Sequence, residues 1–161
     1  MAKETEQLEN GVIARNKKAY FEYFIVEEFD VGIELVGTEV KSLRVRGCDI
    51  SDSYADIRYN AKKSPELFLL NLNISEYKNA GARNHKPKRV RKLLMHKKEI
   101  NKLIGKLEQK GYTLVPLIVY FNHRGLCKVK LGLGKGKNER DKRDTIKKRQ
   151  WNREKEREMK S

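Results

Sequence analysis

The sequence predicts a mainly β domain with added helices: a small antiparallel β-barrel, flanking helices and a basic C-terminal tail outside the barrel. Three observations predict it. Short apolar runs rich in aromatic and β-branched residues recur from Gly11 to Gly134. Turn signals separate these runs, and two stretches carry helical periodicity. After Gly134 the apolar runs stop, although the chain continues to Ser161. Three zones follow: a polar, frayed start at 1–10, the barrel at 11–134 and the tail at 135–161.

The first strand is read in YFEYFIVEEF, Tyr20–Phe29. Asp30 and Gly32 are read as breakers, with Ile33 and Leu35 at period two. TEVKSLRVR, Thr38–Arg46, predicts a helix with Thr38 as N-cap and Gly47 as its stop. SYADIRYN, Ser53–Asn60, alternates as a strand, AKKSP turns, and ELFLLNLNIS, Glu66–Ser75, returns. KLLMH, Lys92–His96, reads equally as a strand or as a first helical turn. KKEINKLIGKLEQKG places Ile100, Leu103, Ile104 and Leu107 on one helical face, with Gly111 at C′. In TLVPLIVYF, Thr113–Phe121, Pro116 predicts an edge or a bulge. NHRG then links it by a hairpin to LCKVKLGLG, Leu126–Gly134. An OB-like barrel fits this pattern, and an SH3-like barrel fits it too.

Composition points to partners. Charged residues are 37% of the chain and the net charge is +15, so a polyanion is expected, nucleic acid first. A membrane surface ranks lower, because no amphipathic helix has an apolar face broad enough to insert. The polar start lacks an apolar signal region and no apolar run is long enough to span a bilayer, so a cytoplasmic protein is expected. Cys48 and Cys127 are read as buried small residues with reduced thiols, and a disulfide between them stays open.

Enzyme signatures are weak. His85, His96 and His123 are scattered without metal-ligand spacing, so no metal and no cofactor is expected. No nucleophile elbow is present. In GLGKGKN, Gly136-Lys137 is followed by Asn138, where a Walker A loop needs Ser or Thr to hold magnesium. A nuclease needs clustered carboxylates; Asp49, Asp52 and Asp56 are close in sequence, but Asp52 and Asp56 bracket a strand start, and capping or turn roles account for Asp49 and Asp52. RNA contact is better supported. ARNHKPKRVRK puts Arg83, Lys86, Lys88, Arg89, Arg91 and Lys92 around Pro87, and RNA phosphate answers such crowding better than solvent does. NKKAYFEYF mixes bases with aromatics that serve as core or as stacking surfaces. In the tail, Glu139–Arg143, Asp144–Lys148 and Glu156–Lys160 are helix-supporting pairs at i,i+4. No apolar stripe docks that helix, so the tail is expected to be disordered when free and helical on a partner.

GTEVKSLR (Gly37–Arg44), SDSYA (Ser51–Ala55), RVRKLL (Arg89–Leu94) with HKKEI (His96–Ile100), and GKGKNERDKRDTIKKR (Gly134–Arg149) stand in an order that resembles the SsrA-binding, small protein B family. The resemblance implies an OB-like barrel that binds the tRNA-like domain of transfer-messenger RNA (tmRNA). It implies delivery of tmRNA to stalled ribosomes, arrival with elongation factor Tu on the charged RNA, a monomer, and no catalysis. By position it implies RNA contact for Asn16, Lys17, Asp30, Glu39, Lys41, Ser42, Arg44, Arg89, Arg91, Lys92 and Leu94, with Asn16 reaching a base edge or sugar and Leu94 supporting from behind. It implies that Lys135, Lys137, Arg140, Asp141, Lys142, Arg143, Lys147, Lys148, Arg149 and Trp151 enter the 16S rRNA decoding centre and the empty mRNA channel. Asp30 stands where the family usually has Glu, Arg140 where it often has His or Tyr, and Glu158 where some members have an apolar residue. The alternative is a general RNA-binding or ribosome-associated protein.

Overall fold

A computed structural model describes residues 11–160. The flexible start expected at 1–10 lies outside the described residues. Along the chain run β1 (Val12–Arg15), α1 (Lys17–Glu22), β2 (Tyr23–Ile33), α2 (Gly37–Arg46), β3 (Tyr54–Tyr59), β4 (Pro65–Leu70), a 3-10 segment (Lys78–Arg83), β5 (Arg91–Leu94), α3 (Lys97–Leu107), β6 (Tyr112–Phe121), β7 (Cys127–Gly136) and α4 (Glu139–Lys160).

In hydrogen-bonding order the strands run β1-β6-β3-β4-β5-β2-β7, and β7 pairs again with β6. Six strands therefore close an antiparallel ring, with β1 attached to β6 outside it. One edge of β6 belongs to β7; the other is shared, β3 at Leu114 and β1 at Ile118–Tyr120. The expected irregularity at Pro116 is a bulge between Pro116 and Ile118. It turns the Leu117 carbonyl to accept from Asn16 N at 2.8 Å.

Inside the ring Val31, Leu67, Leu69, Leu93, Leu114, Val129, Leu131 and Leu133 form the main core, and α3 lays Ile100 and Leu103 into it. A second cluster lies under α1, where Ala19 packs with Val115, Leu117, Ile118 and Tyr120. Gly132 serves this packing: a Cβ there would stand 2.9 Å from Leu117 Cδ1.

Several elements depart from expectation for identifiable reasons. The strand read from Tyr20 begins with α1, because Asn16 Oδ1 accepts from Ala19 N at 3.1 Å and starts a helix. Asp30 and Gly32 do not break β2, which gains its hydrogen bonds from β7 along Tyr23–Gly32. The N-cap of α2 is Val36, not Thr38, and Val36 N donates to Glu39 Oε1 at 3.0 Å. Its stop is as read, with Gly47 at φ 72. β4 ends at Leu70 because Asn71 turns to φ 60. Lys92–Leu94 falls in β5. α3 ends at Leu107, so Gly111, at φ 89, reverses the chain before β6 instead of capping the helix. The barrel boundary read at Gly134 falls inside β7, which runs to Gly136.

The tail forms α4, the helix that its i,i+4 pairs favour. Asn138 Oδ1 accepts from Asp141 N at 2.9 Å and Asp141 Oδ2 accepts from Asn138 N at 3.3 Å, a reciprocal cap at its first turn. No residue of α4 is buried. Among the described residues no helix is long and apolar enough to cross a membrane.

Candidate nucleic-acid interface

The buried side of α2 is Glu39, Ser42 and Leu43, at i, i+3 and i+4. Two of the three are polar, so each needs partners. Ser42 Oγ donates to Ser75 O. Glu39, fully buried, accepts from Val36 N, from Arg89 Nη2 and from Arg91 Nε. Burial pushes its carboxyl up, and the bonds from Val36, Arg89 and Arg91 outweigh that, holding it below its ordinary value. Glu39 also sits in the first turn of α2, where the helix dipole favours a negative charge.

Arg91 is buried as fully as Glu39. Its Nη1 donates to Leu72 O at 2.6 Å and Arg89 O at 3.1 Å, and its Nη2 to Pro87 O at 3.0 Å. One guanidinium therefore ties α2, the end of the β4 segment and the basic loop together. His85, also buried, adds a second strut: Nε2 lies 2.9 Å from Ile74 O and Nδ1 2.9 Å from Thr38 Oγ1. Asn84 and Tyr77 close the 3-10 segment with reciprocal bonds of 3.1 and 2.7 Å.

On this scaffold the opposite side of α2 is cationic. Lys41 lies 5.8 Å from the Tyr77 ring centroid and Arg44 lies 4.9 Å from that of Phe121. Arg46, Lys78, Arg83, Lys86 and Lys88 are exposed too, and Arg46 and Lys78 line one groove with Asn84 and Pro87. Arg89 keeps about a third of its side chain exposed at 37% while bonded to Glu39. The negative charge of Glu39 is matched by two arginines, so the exposed face stays positive.

The structure sorts the residues expected to touch RNA. Arg89, half-buried, is bonded to Glu39 on the buried side of α2, and Lys41 and Arg44 share its exposed side. Glu39, Ser42 and Arg91 lie behind it, buried, so the phosphate contact expected of Arg91 is replaced by four bonds to its own chain. Asn16 is also buried, at 4% exposure, and its amide is used on Ala19 N and on the carbonyls of Pro116 and Ile50. Leu94, expected behind the face, is instead exposed at 48%. With Lys92, it lines a different groove beside Pro65, Met95 and Lys97. Lys17 is exposed at the start of α1. Asp30, exposed on β2, accepts from Tyr120 Oη at 2.8 Å. Sequence reading gave Thr38, Tyr77, His85 and Phe121 no part in this surface, because their contacts with Ile74, Lys41 and Arg44 join segments far apart in the chain.

The tail residues form a second region. Lys137 N donates to Glu22 O at 2.8 Å, and its Nζ to Thr145 Oγ1 at 3.0 Å and Tyr20 O at 3.3 Å, 4.9 Å from the Phe24 centroid. Lys142 and Arg149 stand 6.0 and 5.8 Å from the Phe21 centroid. Asp141 caps the helix. Lys135, Arg140, Arg143, Lys147 and Lys148 are exposed. Trp151 is 59% exposed, with Lys155 4.6 Å from its ring centroid.

The carboxylates considered for metal go to separate partners: Asp49 accepts from Ser51, Asp52 pairs with Lys18 and Asp56 with Arg58. Among the described residues no group of three or more His, Cys, Asp or Glu side chains is arranged to hold a metal ion. Cys48 and Cys127 are free thiols, and burial pushes both up to about 12.

Comparison with known proteins agrees in each direction. A family profile described as SmpB protein matches residues 13–161. An SsrA-binding protein of Wolbachia pipientis subsp. Culex pipiens is 57% identical over 146 residues, 91% of this chain and 95% of that one. One from Thermosipho melanesiensis is 52% identical over 142 residues, 88% and 93% of the two chains. A solved structure described as "tmRNA-SmpB: a journey to the center of the bacterial ribosome" holds a similar chain, with TM-score 0.63 and 45% identity over 83% of this chain and 93% of that one. The residues matched span both the barrel and the tail, so the chain belongs to the SmpB, or SsrA-binding protein, family.

Proposed function

We propose that this protein binds the tRNA-like domain of tmRNA through the α2 face and works in trans-translation. The observation that carries the reading is the α2 face itself: Lys41 and Arg44 exposed on a helix whose other side is fixed by the buried Glu39–Arg91 pair, with half-buried Arg89 bonded to Glu39. Cations fixed on a rigid surface recognise the shape of a folded RNA, whereas cations on a mobile chain do not. In this reading the protein is a cytoplasmic monomer with no catalytic step of its own. It brings charged tmRNA, with elongation factor Tu, to stalled ribosomes. Its tail then enters the decoding centre and the empty mRNA channel, where Lys135, Arg140, Arg143, Lys147 and Lys148 meet rRNA phosphates and stand in for codon–anticodon pairing. The nascent chain is then tagged for proteolysis.

The test is binding to the tRNA-like fragment of tmRNA against an unstructured RNA of equal length across a salt series. Phosphate contacts alone weaken alike with salt for both RNAs. A preference for the tRNA-like fragment that survives raised salt supports the reading. Equal affinities that fall together reject it and leave a general RNA binder. A chain cut after Gly136, the last residue of β7, is expected to keep tmRNA binding and lose tagging.

A further inference from the structure

Phe121 ends β6, and its place is fixed twice. Its backbone pairs with Cys127 across the β6–β7 hairpin, and its half-buried ring packs against the main core. The turn that follows is built around Asn122, whose Oδ1 accepts from Arg124 N at 3.0 Å and from Leu126 N at 2.9 Å. Gly125, at φ 75, brings that turn beside Arg44: a Cβ there would lie 3.8 Å from Arg44 Nη2. Arg44 itself lies over the Phe121 ring, 4.9 Å from its centroid. Among the described residues no carboxylate pairs with Arg44. We propose that Phe121 is a positioning residue for RNA binding, its ring holding the exposed Arg44 guanidinium ready for a phosphate of the RNA.

Phosphate as the partner of Arg44 rests on the reading of the α2 face given above. An arginine that moves freely on a surface loses its rotamer freedom when it binds, and that loss weakens the complex. A ring that already holds the group removes part of the loss before RNA arrives. A carboxylate would hold it too, but would cancel the charge that attracts phosphate. The ring does not compete for the same atoms. A guanidinium carries its five N–H donors in its plane, so an aromatic surface against its face leaves those donors free.

The test is binding of the full chain to the tRNA-like fragment of tmRNA across a salt series, for Phe121→Leu, Arg44→Ala and the two together. Phe121→Leu keeps an apolar group on the core and removes the ring. Binding about two- to fivefold weaker is expected, with the salt slope unchanged because the phosphate contact is still made. In the Arg44→Ala background the same substitution is expected to cost nothing further. Phe121→Tyr, which keeps the ring, is expected to recover the affinity. Parent affinity in Phe121→Leu, an equal loss in the Arg44→Ala background, or a loss as large in Phe121→Tyr overturns the proposal. One measurement needs no variant at all. In the free chain the Arg44 Nε–H order parameter from NMR relaxation is expected near the rigid value of about 0.85, and a value below about 0.6 overturns the proposal. Parent affinity in Arg44→Ala is a separate result: it rejects the α2 reading, and the proposal falls with it.

Discussion

On α2 the exposed cations Lys41 and Arg44 project from a helix whose other side buries Glu39, Ser42 and Leu43; on α4 the cations project from a helix that buries nothing. Both surfaces carry the same kind of charge, yet the first is rigid because its back is part of the core. The second is held by a capping box and side chains resting on Phe21 and Phe24. The difference teaches that a basic surface has two costs of change. On the buried side of α2 a substitution reaches the whole fold; on α4 it stays local.

The largest effect that could break this contrast is at Glu39. Glu39→Gln leaves Arg91 buried without its charge partner, and a loss of about 3–5 kcal/mol in unfolding free energy is expected from denaturant titration. The pH dependence carries the same signature. The folded carboxyl lies below its ordinary value of 4.5, so the ion network stabilises above that pH and fails as pH falls through the folded value. In Glu39→Gln that part of the acid sensitivity should vanish; an unchanged acid profile would remove Glu39 from the centre of the scaffold. Next comes Gly132→Ala. Leu117 is fully buried and cannot retreat from the new Cβ, so a loss of about 1–3 kcal/mol is expected with no change in the α2 face.

Asn138→Ala sharpens the other half. It removes the cap of α4 and should weaken that helix by about 1 kcal/mol, seen as lower helicity by circular dichroism. The barrel's melting temperature should not move, and a fall in it would mean that α4 is coupled to the core. Smallest in stability is Arg44→Ala, expected within about 0.5 kcal/mol because Arg44 is exposed. Its effect should appear in RNA binding, with the salt slope for the tRNA-like fragment reduced by about 1.

The strands were legible wherever a face alternates, as in β3 and β7, and the β6–β7 hairpin was legible from its turn residues. α1 was not, because aromatic residues favour strands and only the Asn16 side chain, bonded across the bulge at Pro116, tips the segment to helix. Of the residues the resemblance marked, Lys41 and Arg44 are exposed, whereas Arg91 and Asn16 are buried, because type and spacing do not say whether a polar group is spent on its own chain. That depends on Leu72, Pro87 and Pro116, residues brought close only by the closed ring.

Closure of that ring also dictates a schedule. β2 takes its partners from β7, Tyr23 with Gly136 and Gly32 with Lys128, and β1 takes its own from the far half of β6. Pairings between such distant segments form late, since loop closure precedes any reward from contact. A nascent chain made from its N-terminus exposes β1 and β2 first and keeps their edges unsatisfied until nearly the whole protein has been synthesised.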